Sequence, residues 1–181
     1  MTAAQVLSLR LAMPRVIETS AGPLRTGLHK RDTPEPVLLQ TTGLYGDGWA
    51  DLEHHGLEDQ AVCAFPLQNY EKLNQALGLE LEAGAMGENA VVGGVDETTV
   101  HIGDQLRWGE ALLEVTKARA PCGILNQAWD CSQLAAVMGR EGLTGWYLRV
   151  LEPGVVEAGQ QMELVERVAG AATVREQWMQ K

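Results

Sequence analysis

Gln105-Leu-Arg-Trp108-Gly-Glu-Ala-Leu-Leu-Glu-Val-Thr116 is the stretch that decides the fold. Apolar residues alternate on both sides of Gly109-Glu110, and a glycine-containing pair between two such runs predicts a β-hairpin. The second strand runs into Lys117-Ala-Arg-Ala-Pro-Cys122-Gly-Ile-Leu-Asn126, where Pro121 and Gly123 turn the chain. Two adjacent strands therefore deliver two cations, Lys117 and Arg119, and a cysteine to one loop. Nearby positive charge favours thiolate over thiol, and the thiolate is the form that attacks electrophiles or binds soft metals. Cys122 is thus a candidate reactive residue, to be weighed against the role most free cysteines have, filling a small apolar gap.

Upstream, Met86-Gly87-Glu88-Asn89-Ala-Val-Val92-Gly-Gly94 reads as a strand with a polar start. Its Asn89 either presents an amide to a ligand or joins Glu88 in a local turn. Ala61-Val-Cys63-Ala-Phe65 predicts a buried strand with Cys63 in the core. Pro66 opens a helix through about Leu77, where Leu67, Tyr70, Leu73, Ala76 and Leu77 recur at helical spacing and Gly78 is the stop. Before these lies Asp51-Leu-Glu-His54-His55-Gly56-Leu-Glu58-Asp59-Gln60. Adjacent histidines on extended backbone point to opposite faces, and no HExxH spacing is present. The reading preferred here is His55 turned into a cleft as a hydrogen-bond donor.

The N-terminal part opens with a strand at Val6–Leu11, closed by Pro14. Residues 20 to 36, rich in glycine and proline, predict a turn-rich excursion whose cations Arg25, Lys30 and Arg31 form a solvated face more often than an anion site. A short strand, Val37–Thr41, follows, and then the glycine-rich turn Gly43 to Gly48. On the C-terminal side Asp130 is placed as the N-cap of a helix from Cys131 to Met138 that ends at Gly139. That makes Cys131 a rival to Cys122. Trp146–Val150, a Pro153-Gly154 turn and Met162–Val165 complete the strands, and residues 170 to 181 form a short helix bearing Trp178 or a frayed tail.

Many short strands punctuated by glycine turns, with two clear helices, predict a mainly β protein, a barrel or curled sheet with a few short helices. The 181 residues suit one domain over residues 1–168 with a tail at 169–181. No apolar run approaches the roughly 20 residues of a membrane span and no secretion signal is read, so the expected location is cytoplasmic, away from membranes. Three cysteines without a CxxC pair fit a reducing compartment and argue against a disulfide framework or a structural zinc site. A formal charge of -10 argues against nucleic acid as a partner. Any anion must be caught by a local cluster of cations.

Several of these segments together resemble the MOSC domain, the C-terminal domain of molybdenum-cofactor sulfurases and of stand-alone bacterial proteins. They are His55-Gly56 before a buried strand, Gly87-Glu88-Asn89, Gly103-Asp104 with Arg107-Trp108-Gly109, Ala120-Pro121-Cys122, and Gly145-Trp146 with Pro153-Gly154. The resemblance runs from about Gly43 to Arg167, in the family's order. It implies a MOSC-type β-barrel and a molybdopterin-type molybdenum cofactor whose metal is held by Cys122 rather than Cys131. It further implies that Gly87, Glu88 and Asn89 face the pterin and phosphate, that His55, Gly56, Asp59 and Gln60 hydrogen-bond the same ligand, that Lys117 and Arg119 offset its charge, and that Asn126 is among the residues binding the cofactor. Pyridoxal phosphate binding is a further family-level expectation.

The implied activity is reduction of N-hydroxylated or N-oxygenated small molecules, with electrons from a separate donor protein because the chain carries no flavin, haem or iron-sulfur motif. The alternatives are a sulfur carrier, in which a sulfur donor loads a persulfide onto Cys122, and a binding module without chemistry. The chain departs from the family's pattern at Leu57 and Gln60, where relatives often have a glycine and a cation. It also lacks the C-terminal helical extension of some longer relatives, so a substrate-shaping element is either missing or comes from a second copy in a homodimer.

Overall fold

The structure is a computed structural model and describes residues 3–51 and 57–180. Its strands are β1 (Ala3–Leu11), β2 (Arg15–Thr19), β3 (Gly22–Thr26), β4 (Arg31–Asp32), β5 (Val37–Gln40), β6 (Gly43–Leu44), β7 (Val62–Pro66), β8 (Ala90–Gly93), β9 (Gln105–Trp108), β10 (Ala111–Ala118), β11 (Trp146–Glu152), β12 (Gly154–Val156) and β13 (Gln161–Glu166). The helices are α1 (Leu67–Leu77), α2 (Gly123–Ala128), α3 (Leu134–Glu141) and α4 (Val174–Met179).

Seven strands close into a barrel in the order β13-β9-β10-β11-β7-β8-β1, with β1 pairing back onto β13. Closure leaves the barrel without free edges. Each pairing is antiparallel except β7 with β8, and α1 lies between those two strands in the chain. Side chains alternate across the wall. Val62 and Ala64 of β7, Trp146 and Leu148 of β11 and Leu113 and Val115 of β10 face inward onto Trp108, Leu106 and Val6. The intervening Cys63 and Phe65 of β7 face outward, and Tyr147 of β11 lies opposite Cys63 in the register. A second apolar cluster covers this outer face, built from Phe65, Tyr70, Leu73, Met86, Leu125, Leu134 and Met138.

Local signals placed the β9–β10 hairpin and α1 where the sequence puts them, with Gly78 ending α1 at φ 66°. Three expectations are corrected. The segment after Pro14 is an ordered hairpin, β2–β3, that pairs with no other strand among the described residues. The helix expected from Cys131 to Met138 is α3, displaced to 134–141 and ended by Gly142 at φ 67°, not Gly139. Asp130 does not cap it. Its carboxylate accepts from the backbone N–H of Ser20 at 3.2 Å and from the Ser20 hydroxyl, across 110 residues of sequence. The C-terminal segment is helical at α4, opened by a capping box in which Thr173 and Glu176 satisfy each other's backbone N–H groups. Trp178 Nε1 donates to Gly139 O at 2.7 Å and fastens α4 to α3. Among the described residues no helix is long and apolar enough to cross a membrane.

Candidate functional site

A cavity of about 190 Å³ lies outside the barrel wall, where the second layer fails to close over β7 and β11. Its floor is Cys63, Tyr147 and Arg119, the last just beyond β10. One side is formed by Ala120, Cys122, Ile124 and Leu125, another by Arg25 to Leu28 with Lys30, and Trp49, Asp51, Gln60, Met86, Gly87 and Asn89 complete the lining. Cys122 occupies the N-cap position of α2 in extended conformation and is half-buried. Three segments distant in sequence thus place two thiols and three cations around one space.

Arg119 organises the floor. It is only 7% exposed, its backbone N–H donates to Gly145 O at 3.2 Å, and its Nη1 has no hydrogen-bond partner. Burial works against the cation, but Cys63, Tyr147, Cys122 and Glu88 act together in the opposite direction, and the net effect raises its pKa. Burial pushes the Cys63 thiol up to about 11 and the Tyr147 hydroxyl up to about 12, in each case against the pull of Arg119. Both are therefore neutral near pH 7. Arg119 lines the cavity and carries a buried donor without a partner, and an unpaired buried polar group is costly until a partner arrives.

The other cations differ. Lys30, read from sequence as part of a solvated face, is buried and ion-paired with Asp47. Arg25 is exposed at the mouth and donates to Ala50 O at 3.0 Å.

Of the residues singled out from sequence, Gln60, Gly87, Asn89, Arg119 and Cys122 line the cavity. Asn89 is a strut there. Its Oδ1 accepts from Cys63 N at 3.1 Å, while its Nδ2 donates to Asp47 Oδ2 at 2.8 Å and Arg10 O at 3.3 Å, so the amide is satisfied within the protein. Gly87, at φ 74°, lies where a Cβ would meet Leu28 Cδ2 at 2.5 Å, so the absence of a side chain lets the two segments pack.

Four residues point elsewhere. Glu88 is buried behind the wall and accepts from Tyr70 Oη at 2.5 Å and Gly84 N at 2.6 Å. Lys117 pairs with Asp59 at 2.6 Å on the barrel's outer face. Asn126 caps α3 in place of Asp130, accepting from Ala135 N at 2.8 Å and donating to Ser132 O at 2.9 Å. The preference for His55, and Gly56 with it, falls outside the described residues. Cys131 packs against the second apolar cluster, away from the cavity lining.

Sequence reasoning missed Cys63, Tyr147 and Trp49 as cavity residues. The available signal was the period-2 phase of β7: with Val62 and Ala64 inward, Cys63 must face out.

A model of the MOSC domain matches residues 51–163. The chain is 38% identical over 162 residues to the protein YflK of Bacillus subtilis (strain 168), covering 90% of this chain and 73% of that relative. It is 32% identical over 150 residues to a protein named Reductase from Gibberella moniliformis (strain M3125 / FGSC 7600), spanning 81% of this chain but 27% of the other. Among solved structures, YiiM from Geobacillus stearothermophilus superimposes with a TM-score of 0.79 at 30% identity, over 96% of this chain and 80% of that one. With barrel, motifs and family match in agreement, the chain belongs to the MOSC domain family.

Proposed function

We propose that the protein binds a pterin-type molybdenum cofactor and reduces N-hydroxylated or N-oxygenated small molecules, with Cys122 as the protein's ligand to the metal. The observation that carries this reading is that the half-buried Cys122 and the buried Arg119, whose Nη1 has no hydrogen-bond partner, line one cavity. The reductase name of the Gibberella relative supports the reaction class.

The donor set fits such a group. It offers one thiolate for a soft metal and a buried cation with a free donor for an anionic appendage. The apolar side chains of Trp49, Met86 and Ile124 suit a flat ring. Among the described residues no three of His, Cys, Asp or Glu gather to hold a metal by themselves, which suits a metal that brings most of its own ligands. Gln60 stands where relatives often have a cation, and Arg25 and Arg119 supply the positive charge here.

When bound, the cofactor supplies a redox-active metal able to take an oxygen atom from the substrate. The chain's own contributions are narrower. Arg119 balances negative charge in a site of low dielectric, where a fixed cation acts strongly. Cys63 and Tyr147 stay protonated beneath it, so they add no competing negative charge. Electrons come from a separate donor protein.

The test is the molybdenum-to-protein ratio after anaerobic incubation with free cofactor, for wild type and Cys122→Ala in parallel. Near-stoichiometric metal in wild type and its loss in the variant is the expected outcome. No metal in either protein overturns the reading in favour of a persulfide carrier, which shows a persulfide mass shift on Cys122 after exposure to a cysteine desulfurase, or of a module without chemistry, which shows none.

A further inference from the structure

The cavity is smaller than its proposed work requires. At about 190 Å³ it falls below the roughly 300–1,000 Å³ of sites that enclose small molecules. Its floor cannot give way, because Cys63 and Tyr147 sit on paired barrel strands. Among the described residues the wall built differently is the one that continues from β3, from Arg25 to Leu28.

Among the described residues hairpin β2–β3 is paired only with itself, and it shows Val16 to solvent at 61% exposure. Polar contacts and one ring contact link it and its continuation to the end of α2. The Ser20 hydroxyl donates to Asp130, Gln127 Nε2 donates to Thr19 Oγ1 at 3.3 Å, and the His29 ring lies 4.7 Å from that of Trp129. Residues His29 and Asp130, both members of this clasp, are the non-glycine residues with positive φ among those described, at 60° and 47°. Backbone held in that region is costly and persists where its surroundings hold it there. Downstream the segment is fixed, because Lys30 is buried against Asp47 and its carbonyl accepts from Arg10 Nη1 at 3.1 Å. Between clasp and anchor, Leu28 reaches into the cavity and packs in the space that Gly87 leaves.

We propose that hairpin β2–β3 and its continuation to His29 form a gate over the cavity, latched to α2 by Ser20–Asp130 and His29–Trp129, which swings about the Lys30–Asp47 anchor and withdraws Leu28 to admit a ligand. The gate rests on the reading of this cavity as a ligand site, but its motion needs neither cofactor nor substrate to be measured.

Cys63 is the reporter. It is 6% exposed at the floor, and its thiol reacts with iodoacetamide only when reagent reaches the cavity. The charged groups that act on Cys63, namely Arg119, Glu88, Lys30 and Asp47, lie outside the latch, and burial, the largest influence on its thiol, is relieved only when the cavity opens, so access and reactivity rise together on opening. The experiment follows Cys63 alkylation by peptide mass spectrometry in the full chain. A Ser20→Ala, Asp130→Ala double variant removes exposed hydrogen bonds to a carboxylate and is expected to raise the rate about fivefold. A second variant, Ser20→Cys with Asp130→Cys in a Cys131→Ser background, staples the latch when oxidised. It is expected to slow alkylation about tenfold or more, reversed by reduction. Failure of either change overturns the gate. Because no metal is involved, a gate that fails leaves the cofactor reading standing, and a protein that loads no metal leaves the gate standing.

Discussion

Asn89 Nδ2 donates to Asp47 Oδ2 at 2.8 Å, and the same carboxylate accepts from Lys30 and, at 2.9 Å, from the backbone N–H of Ala12. One carboxylate thus ties β1, the anchor of the proposed gate and the start of β8 behind the cavity wall. Replacing it by alanine leaves the Lys30 cation buried without a partner. Removing one member of a buried ion pair costs about 3–5 kcal/mol, so Asp47→Ala is expected to lower the urea midpoint by that equivalent. A loss below about 1 kcal/mol, the size of an exposed pair, would show that the network does not hold the wall.

Gly145 supplies a sharper geometric test. It sits at φ 67°, and a Cβ there would lie 2.4 Å from Ala64 O and 2.8 Å from Phe65 Cδ2, neither of which can retreat from the barrel. Its carbonyl also accepts the backbone N–H of Arg119. Gly145→Ala is therefore expected to cost more than about 2 kcal/mol and to displace the cavity floor. Gly94→Ala is the comparison: φ is 79° there, yet nothing lies within 4 Å of the new methyl. It carries the backbone penalty alone, about 1 kcal/mol. Chemical denaturation of the pair separates steric from conformational cost, and equal losses would defeat the assignment.

What sequence alone could read follows from the range of the forces involved. The turn expected at Pro153-Gly154 is only a one-residue break at Pro153 between β11 and β12, whereas the β9–β10 hairpin and α1 with its Gly78 stop are set by neighbours a few residues apart, and their signals are local. The identity of the cap on α3 is not. Asp130-Cys-Ser-Gln reads as a helix start, but the carboxylate is taken by Ser20, and Asn126, outside the expected window, does the capping. The cavity was legible in part for the same reason. Cys122 and Arg119 stand together in the chain, whereas Cys63 joins them only once the phase of β7 in the barrel is known. Lys117 shows the reverse. Its sequence spacing resembles that of Arg119, but Asp59 takes it to the outer face.

Glu97 gives a prediction in the acid range. Its carboxyl is 2% exposed, and burial raises its pKa above the ordinary value of 4.5, against the hydrogen bonds from Gly145 N and Asn69 Nδ2 that favour the anion. In the folded state it therefore holds a proton that the unfolded chain releases more readily. Stability contributed by this group is present below about pH 4.5 and lost as pH rises through the folded pKa. Glu97→Gln keeps an oxygen to accept both bonds, which reach Oε1 at 2.7 and 2.8 Å, and removes the titration. Thermal midpoints between pH 4 and pH 7 are expected to rise for the variant relative to wild type as pH increases. Parallel curves would show that the Glu97 pKa is not raised by folding.

Arg119 connects stability to the site's chemistry at the other end of the scale. The Cys63 thiol is raised from 9.0 to about 11 and the Tyr147 hydroxyl from 10.0 to about 12, chiefly by burial. The folded protein retains these two protons while the unfolded chain releases them, so stability is full below about pH 9 and falls as pH climbs toward 12. Cys63→Ser is expected to reduce that decline between pH 9 and 11, measured by urea unfolding at fixed pH. Arg119→Met acts in the opposite direction. The cation pulls both pKa values down, so its removal raises them further and carries the decline to higher pH. The variant removes a buried charge with one unsatisfied donor at the cost of the Tyr147–Arg119 hydrogen bond, and it is expected to remain folded near pH 7 while losing cofactor loading. Ultraviolet titration of the thiolate and phenolate in wild type and Arg119→Met checks the sign. Unmoved titration midpoints would mean that the Arg119 charge does not reach Cys63 and Tyr147, and with that the electrostatic role given to the cavity floor would fall.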